Sequence, residues 1–316
     1  MRNKTIDAFR GLIMILMALD HASYFLIDTH FYEGYDFITS YPNTLAFITR
    51  WVTHLCAPGF FFAMGYGAVH SYNKNKHRLL RRIILLLILQ FTLINFAWNN
   101  DFIYVGVITS LALSLLLVYA WMPYVKKYGL FIGLILILFS HVIMHTSVVS
   151  SENIIVRLLF VPGSIGNFYV LYTLIPLAGL ACIGGFFAEK KINYLLLSGI
   201  SLILFLLFTR DYSSFQSIFT VVKYPASLRF ISITMAINFF IMYLLNKRNI
   251  VFLEKYGQTA LIFYVLHLYV YKLLGNYITS DSYLLLYSLW IISIIVMYPI
   301  CRKLRKISMQ AYALFK

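Results

Sequence analysis

The sequence predicts an all-α, polytopic membrane protein of about ten transmembrane helices with both termini cytoplasmic. Three observations carry this. The 316 residues are 61% apolar, 18% aromatic and only 12% charged, whereas a soluble domain is roughly half apolar and a quarter charged. Apolar stretches long enough to cross a ~30 Å hydrocarbon core recur along the whole chain. The formal net charge is +15, from 26 Lys and Arg against 11 Asp and Glu, and the positive charges are unevenly placed. This composition excludes a soluble enzyme, a disordered chain and a disulfide-rich secreted scaffold.

The ten stretches cover about 7–27, 47–72, 81–98, 102–124, 128–147, 167–188, 192–209, 227–246, 258–278 and 282–301. The first has the basic start of a signal peptide, but Asp20-His21 stands where a small-x-small cleavage site would lie, so it reads as a retained helix. In the second, Ala57-Pro58-Gly59 weakens the helix and opens backbone groups toward a cavity. The third contains Ile83–Gln90, IILLLILQ, without the alternation of a membrane β-strand. Trp51, Trp98 and Trp121 fall near span ends, as interfacial aromatics do. The fifth ends with His141 and His145 at i,i+4, a candidate metal pair with no third ligand nearby in sequence, so interfacial polarity is the preferred reading. Gly163-Ser-Ile-Gly166, before the sixth, is a glycine pair with no phosphate-loop context. No linker, repeat or low-complexity tract divides the chain, which reads as one transmembrane domain over 1–316.

Direction follows from charge. With the N-terminus inside, every Lys and Arg except Arg50, Arg157, Arg210, Lys223, Arg229 and Lys272 falls in an inner segment, from Arg2 and Lys4 to the C-terminal Arg302, Lys303, Arg305, Lys306 and Lys316. That is the positive-inside asymmetry of a multi-pass plasma (inner) membrane protein. It explains the basic balance without nucleic acid. The three cysteines, Cys56, Cys182 and Cys301, form no CxxC and read as small packing residues; no metal is expected.

Ionisable side chains inside spans are costly, so each is a functional candidate. Arg10 and His21 are 11 residues apart, about 20° from perfect alignment on one helix face and ~16 Å apart along the axis. Asp20 is rotated ~100° from His21 and needs a partner elsewhere. In the second span His54 lies at the depth of His21, with Arg50 one turn above it. His21, His54 and Asp20 are therefore the candidate catalytic group, with Arg50 and Thr53 as oxyanion or substrate contacts. His267 sits near mid-membrane with Tyr264 and Tyr271 on its face, and is a candidate cavity residue. The outer segment 210–230 brings Lys223, Tyr224 and Ser227 against the charge bias, a candidate anion contact. His30, in the first outer loop, is either a substrate contact or a plain loop residue.

Several of these residues lie in recognisable motifs. Ile6-Asp7-Ala8-Phe9-Arg10-Gly11 followed by Leu19-Asp20-His21 resembles the opening of the transmembrane acyltransferases. Together with Arg50-Trp51-Val52-Thr53-His54-Leu55-Cys56-Ala57-Pro58-Gly59-Phe60, Lys223-Tyr224-Pro225-Ala226-Ser227-Leu228 and Phe263-Tyr264-Val265-Leu266-His267, it is similar to the heparan-α-glucosaminide N-acetyltransferase catalytic-domain family in its short bacterial form. The resemblance implies an acyl-CoA donor, acetyl-CoA by default, bound from the cytoplasm, and an extracytoplasmic acceptor. The helix-one catalytic histidine of the broader acyltransferase group maps onto His21. Lysosomal members carry asparagine there and a catalytic histidine in the following loop, which His30 does not match in context or spacing, so heparan is not carried over as substrate.

Arg10 and the cluster Arg78, Arg81 and Arg82 are expected to attract CoA phosphates. His21 or His54 is expected to act as general base, with Asp20 orienting His54; an acyl-histidine route is the competing version. The expected partners are acyl-CoA, an acceptor such as a sugar or envelope glycan, and membrane lipid, with a homodimer left open. The alternative reading is a secondary transporter with a five-plus-five helix arrangement. Against it, Pro176 and Gly179 in span six have no counterpart in span one beyond Gly11. A non-catalytic membrane scaffold is the third reading.

Overall fold

The computed structural model describes residues 3–28, 41–98, 101–146, 152–211 and 218–314. Arg2, His30 and Lys316, named above, lie outside them. Of the described residues 78% are helix and 3% strand. Among the described residues six helices are long and apolar enough to cross a membrane: Lys4–Leu26, Thr44–Lys74, Lys76–Trp98, Met122–Ile143, Leu228–Asn246 and Tyr283–Ser308. The remaining four apolar stretches contain shorter helices, Val107–Ala120, Leu174–Phe187, Tyr194–Thr209 and Ala260–Gly275. At 1.5 Å per residue these rise only about 21–24 Å.

The shortfall has a local cause in each case where one apolar run hides a backbone break. The stretch 102–124 opens with strand β1 (Ile103–Val105) and breaks at Trp121. The stretch from 167 opens with strand β3 (Phe168–Val170) before Thr173 starts the helix. The stretch from 258 is separated at Thr259 from the helix before it. Periodicity registers apolar content and does not register these interruptions.

β2 (Gly163–Ile165) completes a three-stranded sheet in the order β1-β3-β2, a feature absent from the all-α expectation. β1 runs parallel to β3 with Tyr104 opposite Tyr169, and β2 runs antiparallel with Ser164 opposite Tyr169. Gly166, at φ +52°, makes the turn between β2 and β3, a left-handed conformation that costs glycine nothing. The weak glycine pair of the sequence is thus a hairpin device.

Among the described residues two compact units emerge, one of residues 3–28, 41–56 and 241–314, the other of residues 57–98, 101–146, 152–211 and 218–240. The first is built around α1 (Lys4–Leu26), whose buried residues include Phe9, Ile13, Ala18 and Ala22. Asn3 caps it by accepting the Ile6 amide, and Asp7 in its first turn suits the helix dipole. It packs against α2 (Thr44–Thr53), α12 (Val251–Gln258), α13 (Ala260–Gly275) and α14 (Tyr283–Leu314). The crossing with α12 is backbone on backbone. A Cβ at Gly11 would stand 2.0 Å from the Leu253 carbonyl oxygen, and one at Gly257 would stand 1.9 Å from that of Asp7. Trp290 of α14 donates its indole N–H to the Ile15 carbonyl at 2.9 Å.

The second unit centres on α9 (Leu174–Phe187), which packs against α6 (Val107–Ala120) and α7 (Met122–Ile143). Small residues again set the approach, with Gly133 and Gly179 facing each other's backbone carbonyls. Cys182 is buried on this helix, and Cys56 and Cys301 are buried in the first unit; all three are free thiols.

Candidate functional site

The residues singled out from the sequence divide between the units. Arg10, Asp20, His21, Arg50, Thr53, His54 and His267 belong to the first, and Arg78, Arg81, Arg82, Lys223, Tyr224 and Ser227 to the second.

In the first unit α1 and α13 bring two imidazoles together. His21 Nδ1 lies 2.7 Å from His267 Nε2. Their planes differ by only 7° with centroids 4.9 Å apart, an edge-to-edge arrangement joined through nitrogen. His267 is fully buried and His21 is 8% exposed. His267 Nδ1 lies 2.6 Å from the Phe263 carbonyl oxygen one turn back on its own helix. The Tyr264 ring packs edge-on against both imidazoles, and Phe263 lies against His267. Tyr271 closes the far side, its hydroxyl 2.5 Å from Ser293 Oγ, which donates to the Trp290 carbonyl.

This chain of contacts determines the protons. A carbonyl only accepts, so His267 Nδ1 carries a hydrogen. In a neutral ring that leaves His267 Nε2 as an acceptor. His21 Nδ1 must then donate to it. The hydrogen of a neutral His21 then sits on Nδ1, and its Nε2 carries the lone pair. A backbone carbonyl and one histidine thus select the tautomer of another, the job a carboxylate does in many catalytic relays.

The sequence brings His21, His54 and Asp20 together at one depth; in the structure His21 bonds to His267, and Asp20 to Arg50 and Thr53. Asp20 accepts from Arg50 Nη1 at 2.5 Å and from the Thr53 hydroxyl at 2.8 Å. The rotation of ~100° between Asp20 and His21 on one helix explains the split: each faces a different neighbour, Asp20 toward α2 and His21 toward α13. Thr53 has one hydroxyl proton, shared between Asp20 and the Arg50 carbonyl. His54 follows α2, 1% exposed, with its ring against Trp51. Arg10 forms an ion pair with Asp7, one turn earlier on α1.

In the second unit Arg78, Arg81 and Arg82 are exposed on α4 (Lys76–Leu89), whose N-terminus is capped by Asn75. Lys223 is buried along its stem with its ammonium 5.1 Å from the Tyr224 ring centroid. The Tyr224 hydroxyl donates to that of Tyr172 at 3.1 Å. Ser227 Oγ accepts the Phe230 amide at 3.1 Å, capping α11 (Leu228–Asn246). His141 and His145 touch edge to face, 4.9 Å apart. Among the described residues no group of three His, Cys, Asp or Glu could hold a metal.

What sequence reasoning missed is the direct His21–His267 bond and the role of the Phe263 carbonyl. A signal existed for the second: histidine and Phe263 are four residues apart on one helix, where a ring nitrogen can reach back to a carbonyl.

A family model described as heparan-alpha-glucosaminide N-acetyltransferase, catalytic, matches residues 2–200. No curated protein matches the chain.

Proposed function

The chain belongs to the heparan-alpha-glucosaminide N-acetyltransferase catalytic family, and from that premise we propose a membrane acetyltransferase whose donor is cytoplasmic acyl-CoA, acetyl-CoA first, and whose acceptor is an extracytoplasmic amine or hydroxyl on a sugar or envelope glycan. In this reading all ten apolar stretches cross the inner membrane and both termini face the cytoplasm, as the distribution of Lys and Arg favours.

The observation that carries the chemistry is the relay from the Phe263 carbonyl through His267 to His21. His21 Nε2 is the base. It takes the proton as the acceptor nitrogen or oxygen attacks the thioester carbonyl. The carbon–sulfur bond breaks, and the departing thiolate takes that proton back, releasing free thiol and acylated acceptor. His267 holds the His21 tautomer and spreads the transient positive charge through the shared hydrogen bond. Asp20, Arg50 and Thr53 form the polar wall on the next sector of α1, with an arginine to stabilise the oxyanion. His54 is the second candidate base. The second-unit residues Arg78, Arg81, Arg82, Lys223, Tyr224 and Ser227 are assigned no step. The transporter alternative has no observation in its favour.

The test is acetyl transfer from radiolabelled acetyl-CoA in proteoliposomes, with amino- and hydroxy-sugars inside, for the wild type and His21→Ala. Transfer by the wild type that His21→Ala abolishes supports the reading. Solute uptake with no release of thiol refutes it, and so does undiminished transfer by His21→Ala.

A further inference from the structure

Away from the imidazole pair, the first unit contains a cavity of about 460 Å³ lined by Lys255, Pro299, Arg302, Lys303, Arg305 and Lys306. Its volume is that of a small-molecule site, but its lining is not the usual apolar one. Among the described residues, five of the six that line it are cationic and none is acidic. Pro299, Arg302, Lys303 and Lys306 follow i, i+3, i+4, i+7 spacing, so one face of α14 supplies the wall. Lys255 of α12 faces it. Arg305 donates to Gln258 Oε1, which ties α14 to the end of α12. The Arg302 guanidinium lies 5.6 Å from the Tyr298 ring centroid.

Five like charges around one open hollow repel one another and raise the local positive potential. Such an arrangement is relieved by a polyanion. The Arg302 guanidinium can grip phosphate oxygens in a pair, and three lysines add point charges. The position also matters. Gly257, next to Gln258, packs its backbone on Asp7 and Gly11 of α1. The hollow is therefore at the end of the unit where α1 begins, and His21 lies ~16 Å further along α1 from Arg10.

We propose that this hollow binds the phosphate groups of an anionic ligand. Two sources share that chemistry: the nucleotide phosphates of the acyl donor, and the headgroup of an anionic phospholipid. The first source rests on the acyl-CoA reading above; the phosphate chemistry does not. On the first source the nucleotide end of the donor docks here, and its extended arm runs beside α1 toward His21.

The experiment uses the full chain in detergent, with adenosine 3′,5′-bisphosphate as soluble probe and vesicles of phosphatidylglycerol or phosphatidylcholine as lipid probes. Lys303→Ala/Lys306→Ala removes two exposed lysines and is checked for unchanged melting temperature. Lys126→Ala/Lys127→Ala, in the other unit, is the control for non-specific charge. We expect the hollow variant to weaken bisphosphate binding about tenfold or more, with the control unchanged. Loss of selective phosphatidylglycerol binding instead assigns the site to lipid. Equal binding of both probes by the hollow variant and wild type overturns the proposal, as does an equal loss in the control. Acetyl transfer that survives while the hollow proves inert would remove the site and leave the enzyme. Bisphosphate binding through the hollow without any transfer would do the reverse.

Discussion

His21 and His267 meet through nitrogen, Nδ1 of the first 2.7 Å from Nε2 of the second, and the second is itself anchored to the Phe263 carbonyl. The bond joins residues 246 positions apart, so it exists only when α1 and α13 are packed. Folding of the first unit and the protonation pattern of its histidines are thus one event.

Replacing His267 by leucine deprives His21 Nδ1 of its acceptor and lets the ring choose the wrong tautomer. The expected result is a fall in kcat on the order of 10²-fold or more with donor KM little changed. His267→Gln keeps an acceptor oxygen near the same place and should recover part of the rate. Steady-state kinetics of acetyl transfer, paired with thermal melting, separates this from misfolding. Identical losses in a folded leucine and a folded glutamine variant would show that the hydrogen bond does not position His21.

Asp20 is the shared acceptor of Arg50 and Thr53. Asp20→Asn removes the carboxylate to which the Arg50 guanidinium, 15% exposed, donates. A cost of about 1–3 kcal/mol is expected. Arg50→Gln in the same chain should restore part of it, because neither partner is then charged. A double-mutant cycle on melting in detergent measures the coupling. Strict additivity would mean that the pair contributes no coupling to stability.

The helical, membrane-embedded character was legible because apolar content is a property of single residues and sums along the chain. The candidate group was legible in part: buried polar residues such as Asp20, His21 and Arg50 stand out against their neighbours. Their pairing was not, because helical spacing says which face a residue occupies and says nothing of which helix packs on that face. His21 and His54 stand at one depth in adjacent spans, yet the bond that His21 makes to His267 of α13 is one that depth alone does not reveal. The basic hollow was seen only as inner-side charge. Its i, i+3, i+4, i+7 spacing on α14 was present in the sequence, but the facing Lys255 needed the fold.

Gly11 and Gly257 test the backbone crossing that seats α1. An alanine at either position puts a methyl about 2 Å from a carbonyl oxygen, which no rotamer relieves. Each of Gly11→Ala and Gly257→Ala should cost about 1–3 kcal/mol or more. The double variant should cost less than the sum, since one separation of the helices accommodates both. Gly67→Ala, where nothing lies within 4 Å, is the contrast. It should be neutral or up to about 1 kcal/mol more stable, because alanine is the better helix former. Melting temperatures of the four variants against wild type in one detergent decide the matter.

Glu189 gives a pH dependence with a definite sign. Its carboxylate accepts from Asn73 Nδ2 at 2.6 Å and pairs with Lys126 at 3.1 Å. Those two hydrogen bonds, from Asn73 first and Lys126 second, hold its pKa below the usual carboxylate value. A group depressed on folding contributes stability above its unfolded pKa, and that contribution is lost as pH falls through the folded value. The carboxylate is half exposed, so the effect is small and weakens with salt. Glu189→Gln should therefore melt slightly below wild type at pH 7. The gap should narrow as the pH drops through and below the ordinary carboxylate range. A gap that stays constant over that range would show that the charge of Glu189 plays no part, and that the amide replaces it only in shape.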